Sequence, residues 1–135
     1  MEIQAWLETF LSRHGGIAGS IHWAQDGVLT LAASVNIPPP VVRIIETVPK
    51  GKGMAGLAWE RGETVSTCNL KTDQSGDVKP GAKAVDAQAA LAIPVWSAPA
   101  QLRGVVGIAF MGERDFSSDE LAQFEKAASD LPDRG

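Results

Sequence analysis

The sequence predicts an α+β fold. The expected architecture is a central antiparallel sheet of five to six strands, with the N- and C-terminal helices on one face and short helices and a long loop on the other. Three observations carry this expectation. Long apolar stripes at helical spacing occur only near the two ends of the chain. β-Branched and alternating runs come in neighbouring pairs, and their connections are too short for parallel crossovers.

Taken in order, Ile3, Trp6, Leu7, Phe10 and Leu11 fall on one helical stripe, which predicts a helix over about 2–13 stopped at Gly15-Gly16. Ile17 to Ala24 and Val28 to Val35 read as strands. Gln25-Asp26-Gly27 between them is a hairpin signal, because Asp-Gly tolerates the positive φ of a tight turn. The run Pro38-Pro39-Pro40 must be extended or open a helix at its last proline, and Val41 to Thr47 reads as that short helix. A glycine-containing loop, Lys50 to Gly53, leads into a second short helix, Met54 to Arg61, closed by Gly62. A brief strand at Thr64 to Thr67 precedes a polar stretch, Asn69 to Lys83, of a length that is usually functional or mobile. Two further strands, Ala89 to Trp96 and Gly104 to Met111, are separated by Ser97 to Ala100. Ser117-Ser118-Asp119-Glu120 is a capping box, and Leu121, Phe124, Ala128 and Leu131 continue it as a helix over about 117–131. No internal repeat interrupts this order, and a single domain over 1–135 is expected.

Composition removes several function classes. With 44% hydrophobic and 21% charged residues the 135-residue chain is an ordinary folding sequence. A single cysteine excludes an internal disulfide, and with only two histidines a metal centre is not expected. The net charge of −4 argues against nucleic acid as partner, since phosphate binding needs a positive field. The N-terminus lacks the pattern of a signal peptide, and the longest uncharged stretch, Ala87 to Leu102, is broken by Pro94 and Pro99. The expected location is cytoplasmic, with no membrane contact.

The segment from Val48 to Glu63, with its Gly53-x-x-Gly56-x-x-x-x-x-Gly62 spacing, is followed by Ile93-Pro94-Val95, by Gly104 to Phe110, and by the helix start Phe116-Ser117-Ser118-Asp119-Glu120. In that order the chain resembles a GAF domain over nearly its whole length. The resemblance implies a small-molecule-sensing and dimerising module, with a pocket between one sheet face and the mid-chain helices and loops. One branch, the free methionine-(R)-sulfoxide reductases, is catalytic. Its Gly-x-Gly-Val-Cys-Gly loop stands here as Gly51-Lys52-Gly53-Met54-Ala55-Gly56, so Ala55 replaces one cysteine, and Val85, before Asp86-Ala87, replaces a second. Sulfoxide reduction needs a thiolate and a resolving thiol, and Cys68 alone supplies no pair. Phe116 to Glu120 is one residue short of the cyclic-nucleotide pattern, Cys68 lacks the following histidine of bilin-binding domains, and haem would rest on His22 alone. No cofactor is therefore expected.

The resemblance also implies site positions. Ala18, Ser20 and His22 share one strand face, and in the enzyme branch that face looks into the pocket. Ala90, Ala92, Ile108 and Phe110 are assigned to it by the same even-numbered parity. Small residues there leave volume for a ligand or let a helix approach closely. His22 faces the pocket or is tied by a hydrogen bond to a neighbour; Trp59 is a stacking wall or a core anchor. Asp86 pairs a cationic ligand group or caps a turn. Ser66 and Cys68 alternate on the third strand, and Cys68 reads as a small buried hydrophobe. Lys50 and Lys52 read as a turn with solvated charges; Lys71, Lys79 and Lys83 are scattered through the long loop, either as solvated charges or as a draw for an anionic ligand. The expected ligand-binding set is Ala18, Ser20, His22, Trp59, Ser66, Asp86, Ala90, Ala92 and Phe110, with no catalytic or metal-binding residue. Expected partners are an unidentified small molecule, a second copy docked through the terminal helices, and a separate output protein. A ligand-free dimerisation module and a residual sulfoxide reductase are the alternatives.

Overall fold

The structure, a computed structural model, describes residues 2–67, 88–98 and 101–132. The chain runs α1 (Ile3–His14), β1 (Ala18–Gln25), β2 (Val28–Val35), α2 (Pro39–Ile45), β3 (Thr47–Pro49), α3 (Gly53–Arg61), β4 (Val65–Thr67), β5 (Ala89–Ala98), β6 (Gln101–Phe110) and α4 (Ser118–Ala128). The six strands form one sheet in the order β3-β2-β1-β6-β5-β4, with every neighbouring pair antiparallel. Hairpins β1–β2 and β5–β6 meet at the centre through β1 and β6. The polar stretch 69–83, together with Cys68, Val85 and Asp86, lies outside the described residues.

Local chemistry accounts for most element ends. Glu2 caps α1 by accepting from the Gln4 and Ala5 amides at 2.8 and 3.2 Å, and Gly15 closes it at φ +73°. The β1–β2 turn holds Asp26 at φ +53° and Gly27 at φ +81°, the paired positive φ of a two-residue hairpin. Ser117 and Glu120 exchange both bonds of the capping box at 3.1 Å. Pro39 and Pro40 occupy the first turn of α2, where no amide donor is missed. Two features differ from the sequence expectation. Thr47, expected to end the short helix, instead opens an edge strand, Thr47–Pro49, paired with β2. The β5–β6 ladder also runs on to Ala98 and Gln101, with irregular register around Trp96 absorbing the mismatch.

The two sheet faces are covered differently. On one, α1 and α4 bury Trp6, Leu7, Phe10, Leu11, Phe124 and Ala128 against Ile21, Leu91, Ile93, Val106, Ile108 and Phe110. Aromatic rings join the helices in a chain: Trp6 stacks on Phe10 at 5.1 Å, Phe10 meets His14 at 4.8 Å, His14 meets Phe124 at 5.2 Å, and Phe124 meets Phe110 at 5.8 Å. Arg114 lies 4.6 Å from the Phe110 ring centre and pairs with Glu120 at 2.8 Å. Beyond α4, Arg103 of β6 donates to the carbonyls of Leu131 and Pro132, tying the chain end back to the sheet.

The other face carries α2 and α3, and a close backbone approach positions α3. A Cβ on Gly56 would stand 2.4 Å from the Pro49 carbonyl oxygen, so only glycine lets α3 press on the end of β3. Gly51 N–H donates to the Gly56 carbonyl at 2.8 Å across the same contact.

Two expectations follow. Gly56→Ala will cost about 2–3 kcal/mol of unfolding free energy in urea denaturation, because the clashing atom is backbone and cannot swing away; an unchanged midpoint would contradict this packing. Burial, followed by the charge of Arg13, holds the His14 pKa below its ordinary 6.5. The folded state therefore binds His14 protons less readily than the unfolded chain, and its contribution is intact above pH 6.5 and lost as the pH falls below it. His14→Phe will make the thermal midpoint fall less steeply than the parent's between about pH 7 and 5; parallel curves would refute the assignment.

Candidate functional site

The face under α2 and α3 carries a hollow, and the register of the central strands explains it. Directly opposed residues share a face. Ala90, Ala109 and Ala18 form one rung across β5, β6 and β1, and Ala92, Gly107 and Ser20 form the next. No residue of the six is larger than serine. The third rung, Pro94, Val105 and His22, restores full-sized side chains. Above the two small rungs lies a cavity of about 150 Å³.

Its roof comes from Ile37, from Val41 and Ile45 of α2, from Val48 of β3, and from Met54 and Ala55 of α3. His22, 3% exposed, sits at its edge, and its Nε2–H donates to the Ile45 carbonyl at 2.8 Å. That bond satisfies a carbonyl at the C-terminal end of α2, which has no partner within the helix. Ser20 leans over Gly107, its Oγ filling space that a Cβ there would approach to 2.7 Å. Ser20 and His22 are the only polar side chains among the described lining residues, and no carboxylate, ammonium, guanidinium or thiol is among them. Ala55, which the resemblance matches to a reductase cysteine, borders the cavity with a methyl group.

Of the positions expected from sequence, the structure brings Ala18, Ser20, His22, Ala90 and Ala92 together around this cavity. Phe110 is not with them. Its ring sits on the opposite face, in contact with Phe116 and Phe124. Ala18 pairs with Ala109, so the odd-numbered residues of β6 share the cavity face and Phe110 does not. Ile108 likewise directs its side chain into the helix-side core. Ser66 is displaced for the same reason: it pairs with Leu91 and is exposed, whereas Val65 and Thr67 of β4 face the cavity side and are buried. Trp59 is half-buried against the packing of α3, with Lys50 Nζ 5.4 Å from its ring centre, and does not line the cavity. Asp86 lies outside the described residues.

Sequence reasoning missed Ile37, Val41, Ile45, Val48 and Met54 as lining residues. The four-residue spacing of Ile37, Val41 and Ile45 was a readable signal for one covered face, but nothing local said what it covered. Among the described residues no cluster of three or more His, Cys, Asp or Glu side chains is placed to hold a metal ion. None of the described helices is long and apolar enough to cross a membrane.

A family model described as GAF domain matches residues 4–131. No curated protein matches the sequence. Among solved structures, the GAF domain of a phosphoenolpyruvate-protein phosphotransferase from Coxiella burnetii superposes with a TM-score of 0.77 at 21% identity, over 96% of this chain and 77% of that one. A free methionine-R-sulfoxide reductase from Neisseria meningitidis, solved with its substrate, gives 0.75 at 16% identity over 96% and 72%. A GAF domain/HD domain protein from Geobacter sulfurreducens gives 0.74 at 13% identity over 96% and 86%. At these identities the structural neighbours share the fold, and regulatory and catalytic proteins stand side by side among them. The family model runs from the first turn of α1 to beyond the end of α4, and on that match the chain belongs to the GAF domain family.

Proposed function

We propose that this GAF domain senses a small molecule without transforming it, and that the binding site is the hollow beneath α2 and α3. The observation that carries the reading is the cavity of about 150 Å³ over two rungs of small residues, bordered by a methyl group at Ala55. An apolar cavity with a few convergent polar groups is the usual form of a small-molecule site. Thiol chemistry of the reductase kind would need a second sulfur, and the chain has one cysteine, Cys68.

In this reading the ligand favours one arrangement of α2 and α3 over another, because only differential affinity between two states transmits a signal. The signal passes to a separate output protein or to a second copy of the chain, in the cytoplasm. Contact through the terminal helices would be largely polar: the exposed large apolar side chains among the described residues are Ile44, Trp96 and Met111, and none of them lies on α1 or α4.

Two measurements test the proposal. A thermal-shift screen of small-molecule metabolites will give hits that raise the melting temperature of the parent, and Ala90→Leu, which fills the hollow, will weaken each hit more than tenfold. Hits that bind Ala90→Leu undiminished would place the site elsewhere. Incubation with free methionine sulfoxide and a thiol reductant will give no turnover above the Cys68→Ser control; turnover that Cys68→Ser abolishes would establish catalysis instead.

A further inference from the structure

The size and lining of the hollow restrict what it accepts. We infer that the ligand class is a compact, uncharged, mainly apolar molecule the size of one six-membered ring, carrying a single hydroxyl or comparable polar group that bonds to Ser20. This rests on the sensing reading above and names its chemistry.

Three observations converge. First, about 150 Å³ is the scale of an apolar protein cavity that admits a single benzene ring. A nucleotide or a tetrapyrrole exceeds it several-fold. Second, no ionised side chain stands among the described lining residues. A carboxylate or ammonium entering there would surrender its hydration without a counter-charge, and burial of an unpaired ion is prohibitive. Third, the polar contact on offer is specific. Ser20 stands on the second small rung, beside Gly107, and its hydroxyl forms no hydrogen bond with the described residues. A hydroxyl can donate and accept at once, so it suits a neutral group that does the same. The ring would rest on the methyls of Ala18, Ala90 and Ala109 beneath Met54 and Val41.

The experiment uses phenol, benzene and benzoate as probes, with dissociation constants taken from NMR titration of the intact chain. Phenol should bind with a constant on the order of 0.1–1 mM, benzene more weakly, and benzoate at least about tenfold more weakly than phenol. Ser20→Ala should weaken phenol roughly five- to tenfold, to the level of benzene, and leave benzene unchanged. Ala109→Leu should abolish binding of both; Ala90→Leu serves the same purpose if Ala109→Leu does not fold. Benzoate binding as tightly as phenol, or phenol indifferent to Ser20→Ala, would overturn the ligand class while leaving the sensing site in place. Failure of all three probes, while a larger or charged metabolite binds in a manner that Ala90→Leu abolishes, would likewise overturn only the class. If no probe and no metabolite binds, and Ala109→Leu is more stable than the parent, the hollow is a packing defect and both readings fall.

Discussion

Two neighbouring rungs of the sheet carry almost no side chain, and the site depends on that. Strands stand roughly 4.8 Å apart and alternate residues along each point to one face. Ala18, Ser20, Ala90, Ala92, Gly107 and Ala109 therefore cover a continuous patch with little more than methyl groups. Covering helices would ordinarily sink onto such a patch, because dispersion and solvent exclusion both favour contact. Here the roof is held at its ends. His22 holds the C-terminal end of α2 by its carbonyl, and the Gly56 backbone rests on the end of β3, fixing the start of α3. The hollow is the volume left between a floor with few atoms and a roof anchored outside it.

The opposite face follows the contrary rule. Behind the small rungs the helix side carries Ile21, Leu91, Val106, Ile108 and Phe110, buried under α1 and α4, with Gly19 the small exception on β1. The ring chain from Trp6 through His14 to Phe110 and Phe116 joins the two terminal helices across the centre of the sheet. The main core and the hollow thus lie on different faces of the same strands. Substitutions in the cavity floor and in the aromatic layer lie on opposite sides of the backbone, and their effects are expected to add nearly independently.

Much of the fold was legible in local signals, and particular residues show where legibility ended. The capping box at Ser117 and Glu120, the Asp26-Gly27 turn and the helix stop at Gly15 are each decided within a few residues, so chain position alone reveals them. The cavity face of β1 was readable as Ala18, Ser20 and His22 because alternation is a property of one strand. Phe110 and Ser66 were misplaced because the phase of one strand against the next is set by hydrogen-bond register, not by numbering. The alternation of size along Val105 to Phe110, small at Gly107 and Ala109 and large at Val106, Ile108 and Phe110, did hold the answer. Matching small residues to small across β1 and β6 would have found it.

Trp59 illustrates a different limit. An aromatic on a helix that covers a pocket is compatible with either side of that helix, and only packing against β5 and β6 decides which side is inward. By itself the amino-acid sequence determined the α+β class, the caps and turns, the family pattern around Gly53, Gly56 and Gly62, and the methyl side chain at Ala55. All of these rest on contacts between near neighbours or on the identity of a single side chain. Tertiary structure alone decided that six small residues from three strands lie on adjoining rungs and that Val41 of α2 and Met54 of α3 cover them without filling the space above. Those facts come from register and from long-range anchoring, which join residues up to about ninety positions apart and leave no mark on any short stretch of chain.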